Sequence, residues 1–413
     1  MKIFNGDIVY SAENHELSLG GTRVTYAEHI KTHPKSIAMV ESDNEKFLTL
    51  LDESGLTGHG GAHFPVARKL RAAMQSPPGG KVVANAAEGE PGSVKDAALW
   101  QYVPHTVLDG MLLVAHLIKA ERLVIWVHDE ERATLRSIAD AIAERESAGN
   151  PIKLDILRMP VRYTSGENSA VIAGVRGEAI APRYGLDKAR PWGVGNPAIL
   201  SHNSETLARI AMVHNFGREA ARQHLLSILA QDRRIVREVS SSETYQQAMP
   251  EVKGNPAILF GGYGASWLSW ETVKHLRADP LMLRAAGLSF GAGIVGALPV
   301  DACVIEETGR VLTWMASQSA RQCGPCFQGL ADVSDRWNLL VRGGMNQEGY
   351  SILLERIGLI PGRGGCAHPD GVIRLVRSAI TLFGDEVDAH LNGSCTLLES
   401  IPFLPIPGVS VMS

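Results

Sequence analysis

The pattern of apolar and polar positions divides the chain into three regions. In the first, up to residue 235, short apolar runs alternate with segments of helical periodicity. "ERLVIWVHD" predicts a buried strand, and "IKLDILRMP" predicts a second strand with alternating apolar positions. "NSETLARIAMVHNFGREAARQHLLSILAQDRR" predicts one or two helices, with Asn203 or Ser204 as the N-terminal cap. Such alternation is typical of an α/β layered domain.

The pattern of apolar and polar residues changes twice in the second half of the chain. Between 236 and 302, "PAILFGGYGASWLSW" and "LSFGAGIVGALPVD" predict short strands interrupted by glycine, and therefore a small β-rich domain. After that, "TGRVLTWMASQSARQ", "DVSDRWNLLVRGG" and "PDGVIRLVRSAITLFGDEVDAHL" have helical periodicity, and the Pro-rich tail is expected to run over the surface. We therefore predict three domains, at 1–235, 236–302 and 303–413.

Composition and charge exclude several classes of function. The 413 residues are 45% hydrophobic and 20% charged, as in ordinary globular proteins, and are too many for a single core. A net charge of −4 argues against a general nucleic-acid or acidic-membrane binder. The N-terminus lacks signal-peptide features, and Lys119, Glu121 and Arg122 interrupt the longest apolar run. We expect a cytoplasmic protein without membrane insertion, and a homo-oligomer stays open.

The stretch "SGLTGHGGAHFPVARKL" places four glycines just before a segment that favours a helix from Pro65. It is not a Rossmann fingerprint, because the third glycine is missing and the preceding "NEKFLTLLDESG" has helical rather than strand spacing. A bare backbone before a helix lets N–H groups approach a phosphate or a flat ring. A simple tight turn is the alternative, in which His59 and His63 are solvated.

Three further segments carry polar residues where apolar runs end. "KVVANAAEGEPGSVKDAALW" is a strand that leads into a turn bearing Asn85, Glu88 and Glu90, and "RYTSGENSAVIAGVRGE" and "PWGVGNPAILSHNSETLARI" follow. In order and spacing, these segments and the glycine stretch resemble the flavin- and NADH-binding subunit of respiratory complex I and its relatives in NAD-linked hydrogenases and formate dehydrogenases. The resemblance covers nearly the whole chain. It implies an α/β flavin-binding domain, a small β-grasp (SLBB-like) domain and a C-terminal helical bundle carrying an iron–sulfur cluster.

The resemblance also implies a role for particular residues. Lys69 would neutralise the phosphate or ring oxygens of FMN, Phe64 would stack on the nicotinamide nucleotide, and Glu90 would lie near its ribose. The other implied cofactor-binding positions are Gly58, Gly60, Gly61, Asn85, Glu88, Gly166, Glu167, Asn168, His202, Asn203 and Thr206. Because a hydride donor and a flavin need only stack face to face, we predict no catalytic residue.

Several positions depart from the family pattern. Ala87 and Asn168 stand where the family has carboxylates, His202 replaces an asparagine, and His59 replaces an arginine. Ala72 stands where an aromatic residue would help to sandwich the adenine. Two lost carboxylates make the pocket less negative and reduce the repulsion of a 2′-phosphate. We therefore expect NADPH to be better tolerated than in the family, or preferred over NADH; a decayed nucleotide site is the alternative.

"QSARQCGPCFQG" can be interpreted in two ways. C-G-P-C is also the thioredoxin quartet, but that motif follows a strand, whereas this one follows a helical pattern. The family's cluster motif is Ser-x-x-Cys-Gly-x-Cys-x-Pro-Cys followed by a distant cysteine. Cys323 and Cys326 match its second and third cysteines and Cys366 matches the distant one, while Ala320 stands at the first.

A [4Fe–4S] cluster normally takes four thiolates, so one ligand is missing from its usual place. We predict Cys395 as the substitute ligand, because a helix that begins just after Cys366 could return its end toward the cluster. Cys303 lies in an apolar run and is expected to be a small buried hydrophobe. A three-cysteine [3Fe–4S] cluster, or no cluster, is the fallback. All five cysteines fall late in the chain, and an odd count does not suggest a disulfide framework.

The resemblance implies a flavo-iron–sulfur oxidoreductase that takes hydride from NADH or NADPH onto FMN. It would pass electrons singly through one cluster to a one-electron carrier, for which a ferredoxin is the simplest choice. Two alternatives stay open at this point. The chain could be a subunit of a complex I-like or hydrogenase-like assembly, or a non-catalytic relay that has lost its flavin.

Overall fold

A four-stranded parallel sheet organises the first domain in the computed structural model of the protein. The structure describes residues 8–10, 22–34, 44–184, 190–230, 233–393, 395–397 and 400–407. The strands of this sheet are β2 (Gly80–Asn85), β3 (Ala120–His128), β4 (Leu154–Met159) and β5 (Ile199–Asn203), in the order β4-β3-β2-β5. The two strands predicted from "ERLVIWVHD" and "IKLDILRMP" are β3 and β4, so both predictions are confirmed.

Helices cover the faces of this sheet. They are α1 (Tyr26–Thr32), α2 (Asn44–Glu53), α3 (Val66–Met74), α4 (Lys95–Tyr102), α5 (Pro104–Ile118), α6 (Arg132–Ser147), α7 (Asn168–Val175) and α8 (Ser204–Phe216). The long helices α5 and α8 pack closely, because a Cβ at Gly110 would lie 2.0 Å from the carbonyl oxygen of Leu207. Glycine is therefore required at this crossing.

The register of the sheet brings two predicted site residues together. Asn85 pairs with Asn203 at the carboxyl ends of β2 and β5, which run parallel. Open α/β sheets bind ligands outside the carboxyl ends of their strands. The turns that follow Asn85 and Asn203 therefore meet at the edge where such a ligand is expected.

A second, six-stranded mixed sheet follows, and it begins earlier than predicted. Its strands are β1 (Ile8–Tyr10), β6 (Gln223–Ala230), β7 (Arg233–Ser240), β8 (Ala257–Phe260), β9 (Ser266–Ser269) and β10 (Ile294–Ala297), in the order β1-β7-β6-β10-β8-β9. The helical prediction for "HLLSILA" is wrong, because this segment is β6, a strand buried among other strands. The boundary at 235 is also misplaced, since it cuts through β7.

Short helices accompany the second sheet, namely α9 (Tyr245–Ala248), α10 (Trp270–Val273) and α11 (Pro280–Ala285). β6 pairs antiparallel with β7 and parallel with β10, and β10 pairs antiparallel with β8. The sheet thus has a parallel central pair flanked by antiparallel partners, and the β-grasp (SLBB-like) assignment of this domain stays a prediction.

A helical region completes the fold, as predicted. It consists of α12 (Val304–Ser317), a π-helical turn (Pro325–Gly329), α13 (Leu330–Val341), α14 (Gln347–Leu359), α15 (His368–Leu382) and α16 (Gly384–Leu391). The described part of the Pro-rich tail, residues 400–407, does not run over the surface as expected, because Leu404 is fully buried and its N–H donates to Glu307 Oε2 at 2.6 Å; the rest of the predicted tail lies outside the described residues. Within the described ranges, no helix has both the length and the apolar character needed to cross a bilayer.

Candidate flavin pocket and thiol clusters

The glycine loop joins α2 to α3, as the sequence predicted, and is closed by backbone hydrogen bonds. Gly58 N–H donates to the carbonyl of Phe64 at 2.9 Å. Gly61 has φ +90°, a conformation that favours glycine. A Cβ at Gly60 would lie 3.6 Å from Cβ of Asn203, so the loop lies against the N-terminus of α8. The loop therefore presents bare backbone at the carboxyl edge of the parallel sheet.

The two histidines of this loop are buried rather than solvated. His59 is 4% exposed and His63 is 7% exposed. The His59 N–H donates to Thr206 Oγ1 at 2.9 Å, and its ring lies 3.1 Å from Nδ1 of His224. Burial lowers the pKa of His59 well below its usual value, so its ring is neutral at pH 7. The solvated-loop interpretation is therefore wrong for both residues.

Lys69 projects from α3 toward the carboxyl edge of β5. Its ammonium group donates to the carbonyl of Ser201 at 2.6 Å. Burial lowers the pKa of Lys69 to about 8. Among the described residues, no carboxylate forms an ion pair with Lys69. A partly buried cation with only a carbonyl partner is suited to receive a phosphate or a ring oxygen.

Asn85 and Glu88 lie in and just after the turn that follows β2. Asn85 Nδ2 donates to the carbonyl of Gly166 at 2.8 Å, which ties this turn to the "TSGEN" segment. The carboxylate of Glu88 accepts from Ser93 Oγ at 2.5 Å and from Ala97 N–H at 3.0 Å. Burial raises the pKa of Glu88 to about 7, and the charge of Asp96 adds to this shift. Glu88 therefore titrates near neutral pH.

Glu90 connects three parts of the chain. Its carboxylate accepts from the hydroxyl of Tyr163 at 2.9 Å and from the N–H of Tyr263 at 3.0 Å. Burial raises the pKa of Glu90 above the usual range. The turn is also packed tightly, since a Cβ at Gly89 would lie 2.4 Å from the carbonyl oxygen of Tyr163. Tyr163, which sequence reasoning did not assign, thus both holds and orients Glu90.

Glu167 caps α7, and Gly166 precedes it in a close backbone crossing. The Glu167 carboxylate accepts from the N–H groups of Ser169 at 2.9 Å and Ala170 at 3.1 Å. A Cβ at Gly166 would lie 2.8 Å from the carbonyl oxygen of Ala87. Asn168, the first residue of α7, is partly buried. The three predicted residues of this segment therefore lie beside the turn after β2.

The third predicted segment lies at the end of β5. Asn203 caps α8 by accepting from Glu205 N–H at 3.0 Å, as the sequence predicted. Thr206 is fully buried and receives the hydrogen bond from the glycine loop. His202 is 5% exposed, burial lowers its pKa well below the usual value, and its Nε2 has no hydrogen-bond partner in the described part of the chain. An unpartnered buried nitrogen of this kind favours a bound ligand.

A buried ionic cluster, which sequence reasoning missed, supports the cap of α8. Lys95 Nζ lies 2.9 Å from Asp96 Oδ1, 3.1 Å from Glu205 Oε2 and 3.0 Å from Asn203 Oδ1. Asn203 Nδ2 also donates to Asp96 Oδ2 at 2.5 Å. The adjacent Lys95-Asp96 pair just after the glutamate turn was the available signal. Its charges hold Asn203 in place at the pocket wall.

Cationic side chains surround Phe64 at the outer end of the glycine loop. The guanidinium of Arg68 lies 5.5 Å from the centroid of the Phe64 ring. The exposed Arg284 donates to the carbonyl of Ala62 at 3.3 Å. Phe64 is only partly buried, which suits a side chain expected to contact a nucleotide.

Cys323, Cys326 and Cys366, the cluster cysteines, lie together in the described structure. The charges of Cys323 and Cys366 both act on the pKa of Cys326, which burial raises to about 12. Ser319 Oγ donates to the carbonyl of Cys326 at 3.2 Å and so holds the motif beside the end of α12. Because helix α12 precedes the motif and a π-helical turn begins within it at Pro325, the thioredoxin interpretation fails on context.

The cluster cysteines adjoin the predicted flavin pocket. Burial raises the pKa of Cys366, a hydrogen bond from the backbone N–H of His368 opposes this shift, and the charge of Glu167 adds to it. The ring of Tyr163 lies 5.2 Å from that of His368, two residues from Cys366. Tyr163 therefore touches both the nucleotide-side carboxylate Glu90 and the helix that begins beside Cys366.

Cys395 does not lie with the cluster cysteines, so the prediction that it is the fourth ligand is wrong. It lies near Cys303 and Glu386, and Cys303 caps the N-terminus of α12. Cys326 is held at the opposite end of α12, whose 14 residues span about 21 Å. Helix α16 returns toward the start of α12 and not toward its end. Cys303 is 3% exposed, as predicted, but it has polar neighbours.

The donor groups that are present fit the expected cofactors with one exception. The flavin pocket offers bare backbone, and within the described ranges it also offers a cation without a carboxylate partner and the unpartnered Nε2 of His202. The cluster region offers three thiols, and Ala320 leaves the fourth position without a thiolate. The residues therefore suit FMN fully and a cubane cluster with three protein thiolates.

Two family models match the chain, one before strand β6 in the sequence and one after strand β10. The Nuo51 FMN-binding domain matches residues 51–212. The NADH-ubiquinone oxidoreductase-F iron-sulfur binding region matches residues 306–390. Both matches fall where the flavin pocket and the cluster cysteines lie.

The chain is also similar to curated proteins and to solved structures. A subunit of the NADH-quinone oxidoreductase of Mycobacterium tuberculosis is 26% identical over 410 residues, covering 90% of this chain and 91% of that protein. The corresponding subunit of the Aquifex aeolicus NADH-quinone oxidoreductase is 24% identical over 385 residues, covering 86% and 88%. A crystal structure of an NAD+-reducing [NiFe]-hydrogenase in the H2-reduced state matches with a TM-score of 0.79 at 20% identity, covering 94% of this chain and 68% of that chain. At that identity, the structural likeness concerns the fold.

Proposed function

The chain belongs to the family of flavin- and NADH-binding iron–sulfur subunits of respiratory complex I, and from this premise we propose that it is an NAD(P)H-oxidising reductase. It passes electrons from FMN through one cluster to a one-electron acceptor. The contact chain from Glu90 through Tyr163 to His368 carries this proposal, because it joins the nucleotide side of the pocket to the cluster side.

Bound FMN supplies the chemistry, since it accepts an electron pair as hydride and releases electrons singly. The residues of the protein would position the FMN and neutralise its negative charge. The glycine loop offers backbone N–H groups, Lys69 supplies a positive charge, and Asn85 and Asn203 hold the turns at the sheet edge. None of these groups has to donate or accept a proton during hydride transfer.

Glu90 influences how the nucleotide binds. Burial raises the pKa of its carboxyl group, and the hydrogen bonds from Tyr163 and Tyr263 oppose this shift. A carboxyl group held between these donors keeps a fixed orientation toward a ribose hydroxyl. Glu90 is therefore a positioning residue for the nucleotide.

The pocket tolerates NADPH in addition to NADH. Ala87 and Asn168 remove two negative charges from the carboxylate pattern of the family. Arg68 and Arg284 add positive charge near Phe64 at the outer end of the loop. A 2′-phosphate at this position meets attraction rather than repulsion.

Cys323, Cys326 and Cys366 would hold a [4Fe–4S] cluster through three thiolates. Ala320 stands at the usual position of the fourth ligand and Cys395 lies at the other end of α12, so neither would supply a fourth thiolate. Three thiolates would also suit a [3Fe–4S] cluster.

A small acidic carrier such as a ferredoxin is the acceptor in this proposal. Phe327, next to a cluster cysteine, is 60% exposed. Arg321 and Arg363 are exposed in the two loops that carry Cys323 and Cys366. An apolar contact flanked by positive charge suits an acidic one-electron protein in the cytoplasm.

A second candidate role is membership of a larger assembly. The relatives from Mycobacterium tuberculosis and Aquifex aeolicus are named as subunits of NADH-quinone oxidoreductase. In that case the exposed surface around Phe327 contacts another subunit. The six-stranded sheet, which is an SLBB-like β-grasp domain in this proposal, stabilises that contact. Co-purifying subunits from the native host would favour the assembly, whereas a single chain of constant mass favours the free reductase.

The test is anaerobic absorption spectroscopy of the purified protein, with NADH and with NADPH in separate cuvettes. We expect flavin and cluster bands that both nucleotides bleach, with NADPH within about tenfold of NADH in rate, a difference of about 1.4 kcal/mol in barrier. NADPH rates orders of magnitude lower would remove the dual-nucleotide proposal. A cluster band without flavin, unchanged by either nucleotide, would identify a relay instead.

A further inference from the structure

A group of metal-ligating side chains lies outside the flavin pocket and away from the cluster cysteines. It contains Cys303, Glu306, His390 and Cys395, and we call it the tail site. One potential ligand atom from each of these residues lies within 4.8 Å of the others. Two of the residues belong to the start of α12, and the other two come from the end of α16 and the segment after it.

The distances within the tail site are those of a nearly assembled metal centre. Cys303 Sγ lies 3.4 Å from His390 Nε2. Ligands around tetrahedral zinc lie roughly 3.3–3.8 Å apart, given metal–ligand distances of about 2.0–2.3 Å. Glu386, which adjoins the tail site without belonging to it, has its Oε1 3.4 Å from Cys395 Sγ and 3.4 Å from His390 Nε2. Because the four ligand atoms of the tail site already lie within 4.8 Å of one another, little movement is needed to bring them around one ion.

The orientation of His390 is an independent indication of metal binding. Its Nδ1 lies 3.0 Å from the carbonyl oxygen of Val341, which can only accept, so Nδ1 carries the proton. The lone pair of Nε2 then points toward Cys303 Sγ. A backbone carbonyl that selects the tautomer in this way is the usual outer partner of a metal-bound histidine.

The spacing of the ligands along the chain also fits. Cys303 and Glu306 are separated by two residues in the first turn of α12, and His390 and Cys395 by four residues. Structural zinc sites commonly combine two such short-range pairs from distant parts of a chain. Two thiolates, one imidazole and one carboxylate are a donor set that suits Zn²⁺ better than Mg²⁺ or Ca²⁺.

We propose that the tail site binds one structural Zn²⁺ through Cys303, Glu306, His390 and Cys395. Binding releases the two thiol protons to solvent as two sulfur–zinc bonds form, with no change of oxidation state. Glu386 accepts from Thr396 N–H at 3.2 Å and orients the segment that carries Cys395. The protein donors fill all four positions, so the ion is not a catalytic one.

The zinc fastens the tail across the start of α12. Cys303 N–H already donates to Ser400 Oγ at 2.9 Å, and Ile401 N–H donates to the carbonyl of Asp301 at 2.9 Å. Cys303 and His390 are 87 positions apart, so one ion closes a long loop. The site therefore holds the helical region in the arrangement that places the cluster cysteines.

The experiment compares metal contents of the full-length wild type, Cys395→Ser, Cys303→Ser and Cys366→Ser by elemental analysis. We expect about one zinc per wild-type chain, and at least about a tenfold loss in the first two variants with iron and FMN retained. Cys366→Ser is the matched control, and it should lose iron while keeping its zinc. A retained FMN content reports that each variant is folded.

A second measurement keeps the proposal testable if Cys395→Ser or Cys303→Ser does not fold. Zinc-stripped Cys366→Ser, which is free of cluster absorption, is titrated with Co²⁺ and should develop thiolate-to-cobalt charge-transfer bands. Three results would overturn the proposal: no zinc and no cobalt uptake, zinc unchanged in folded Cys395→Ser, or a Cys303–Cys395 disulfide in the mass of the isolated protein.

Discussion

At the scale of single residues, Lys69 decides whether the pocket favours an anion. Its pKa is lowered to about 8 by burial, against 10.5 for a free amine. The flavin-free protein therefore carries a partly buried charge at neutral pH, and its hydrogen-bond acceptor is the carbonyl of Ser201. In the proposed site a flavin phosphate would supply a counter-charge, which would link FMN binding to the charge of Lys69.

We predict that Lys69→Met abolishes FMN binding while raising the melting temperature of the flavin-free protein at pH 7 by roughly 2 °C. In the wild type, FMN affinity should fall as the pH rises above about 8, where Lys69 loses its proton. Because the unfolded chain binds that proton up to about 10.5, flavin-free stability should rise between these pH values.

Fluorescence titration with FMN and thermal unfolding across pH 7–10 measure both effects. Lys153→Met is the control, since Lys153 is exposed outside the pocket. Its loss should change neither the FMN affinity nor the thermal stability. FMN affinity that stays constant from pH 7 to 10 in the wild type would mean that Lys69 does not meet the phosphate.

At the scale of elements, the connection from α12 to the π-helical turn sets the chemistry of the cluster. It contains Ala320, beside Ser319, whose hydroxyl holds Cys326 by a 3.2 Å hydrogen bond. Arg321 has φ +53°, a left-handed conformation that turns the chain sharply before Cys323. Position 320 therefore lies in the short turn between the Ser319 hydroxyl that contacts Cys326 and the chain entering Cys323.

We predict that Ala320→Cys supplies the fourth thiolate and stabilises the [4Fe–4S] form. Iron content after exposure to air should rise from about three toward four per cluster, and the electron paramagnetic resonance signal of the oxidised [3Fe–4S] form should disappear. Ala331→Cys adds a thiol on the exposed side of α13 and should leave the signal unchanged. An unaltered spectrum in Ala320→Cys would contradict three-thiolate ligation.

At the scale of the whole molecule, the contacts of Glu90 and Tyr163 join the three parts of the chain. Glu90 and Tyr163 belong to the first domain, Tyr263 to the six-stranded sheet, and His368 to the helical region. All three parts of the chain therefore meet around Glu90 and Tyr163, where we propose that the nucleotide binds. Beyond the cluster cysteines, Phe327 reaches the solvent.

We predict that the double variant Arg321→Glu and Arg363→Glu slows ferredoxin reduction by tenfold or more at low salt. The reason is lost electrostatic attraction, so the difference from the wild type should shrink as ionic strength rises and shortens the Debye length. Stopped-flow reduction of a ferredoxin, with ferricyanide as a small acceptor for comparison, measures this. Arg122→Glu, an exposed change in β3, is the control. Equal loss with both acceptors would place the effect within the protein rather than at docking.

The amino-acid sequence by itself determined the local parts of the flavin site. The glycine loop, the turn after β2 and the Asn203 cap each consist of contiguous residues whose backbone geometry follows from their own composition. These parts were predictable because a glycine, a cap or a strand end acts within a few residues. Their order along the chain was sufficient to indicate the family.

Only the tertiary structure decided the long-range pairings. The Lys95–Glu205 ion pair, the contact of Tyr163 with Glu90 and the placement of Cys395 beside Cys303 depend on where helices of particular length end. "HLLSILA" has an apolar pattern that suits either a helix or a buried strand, and pairing with β7 and β10 decides for the strand. Local periodicity carries no information on such partners, because the free energy that selects them comes from contacts made after the elements have formed.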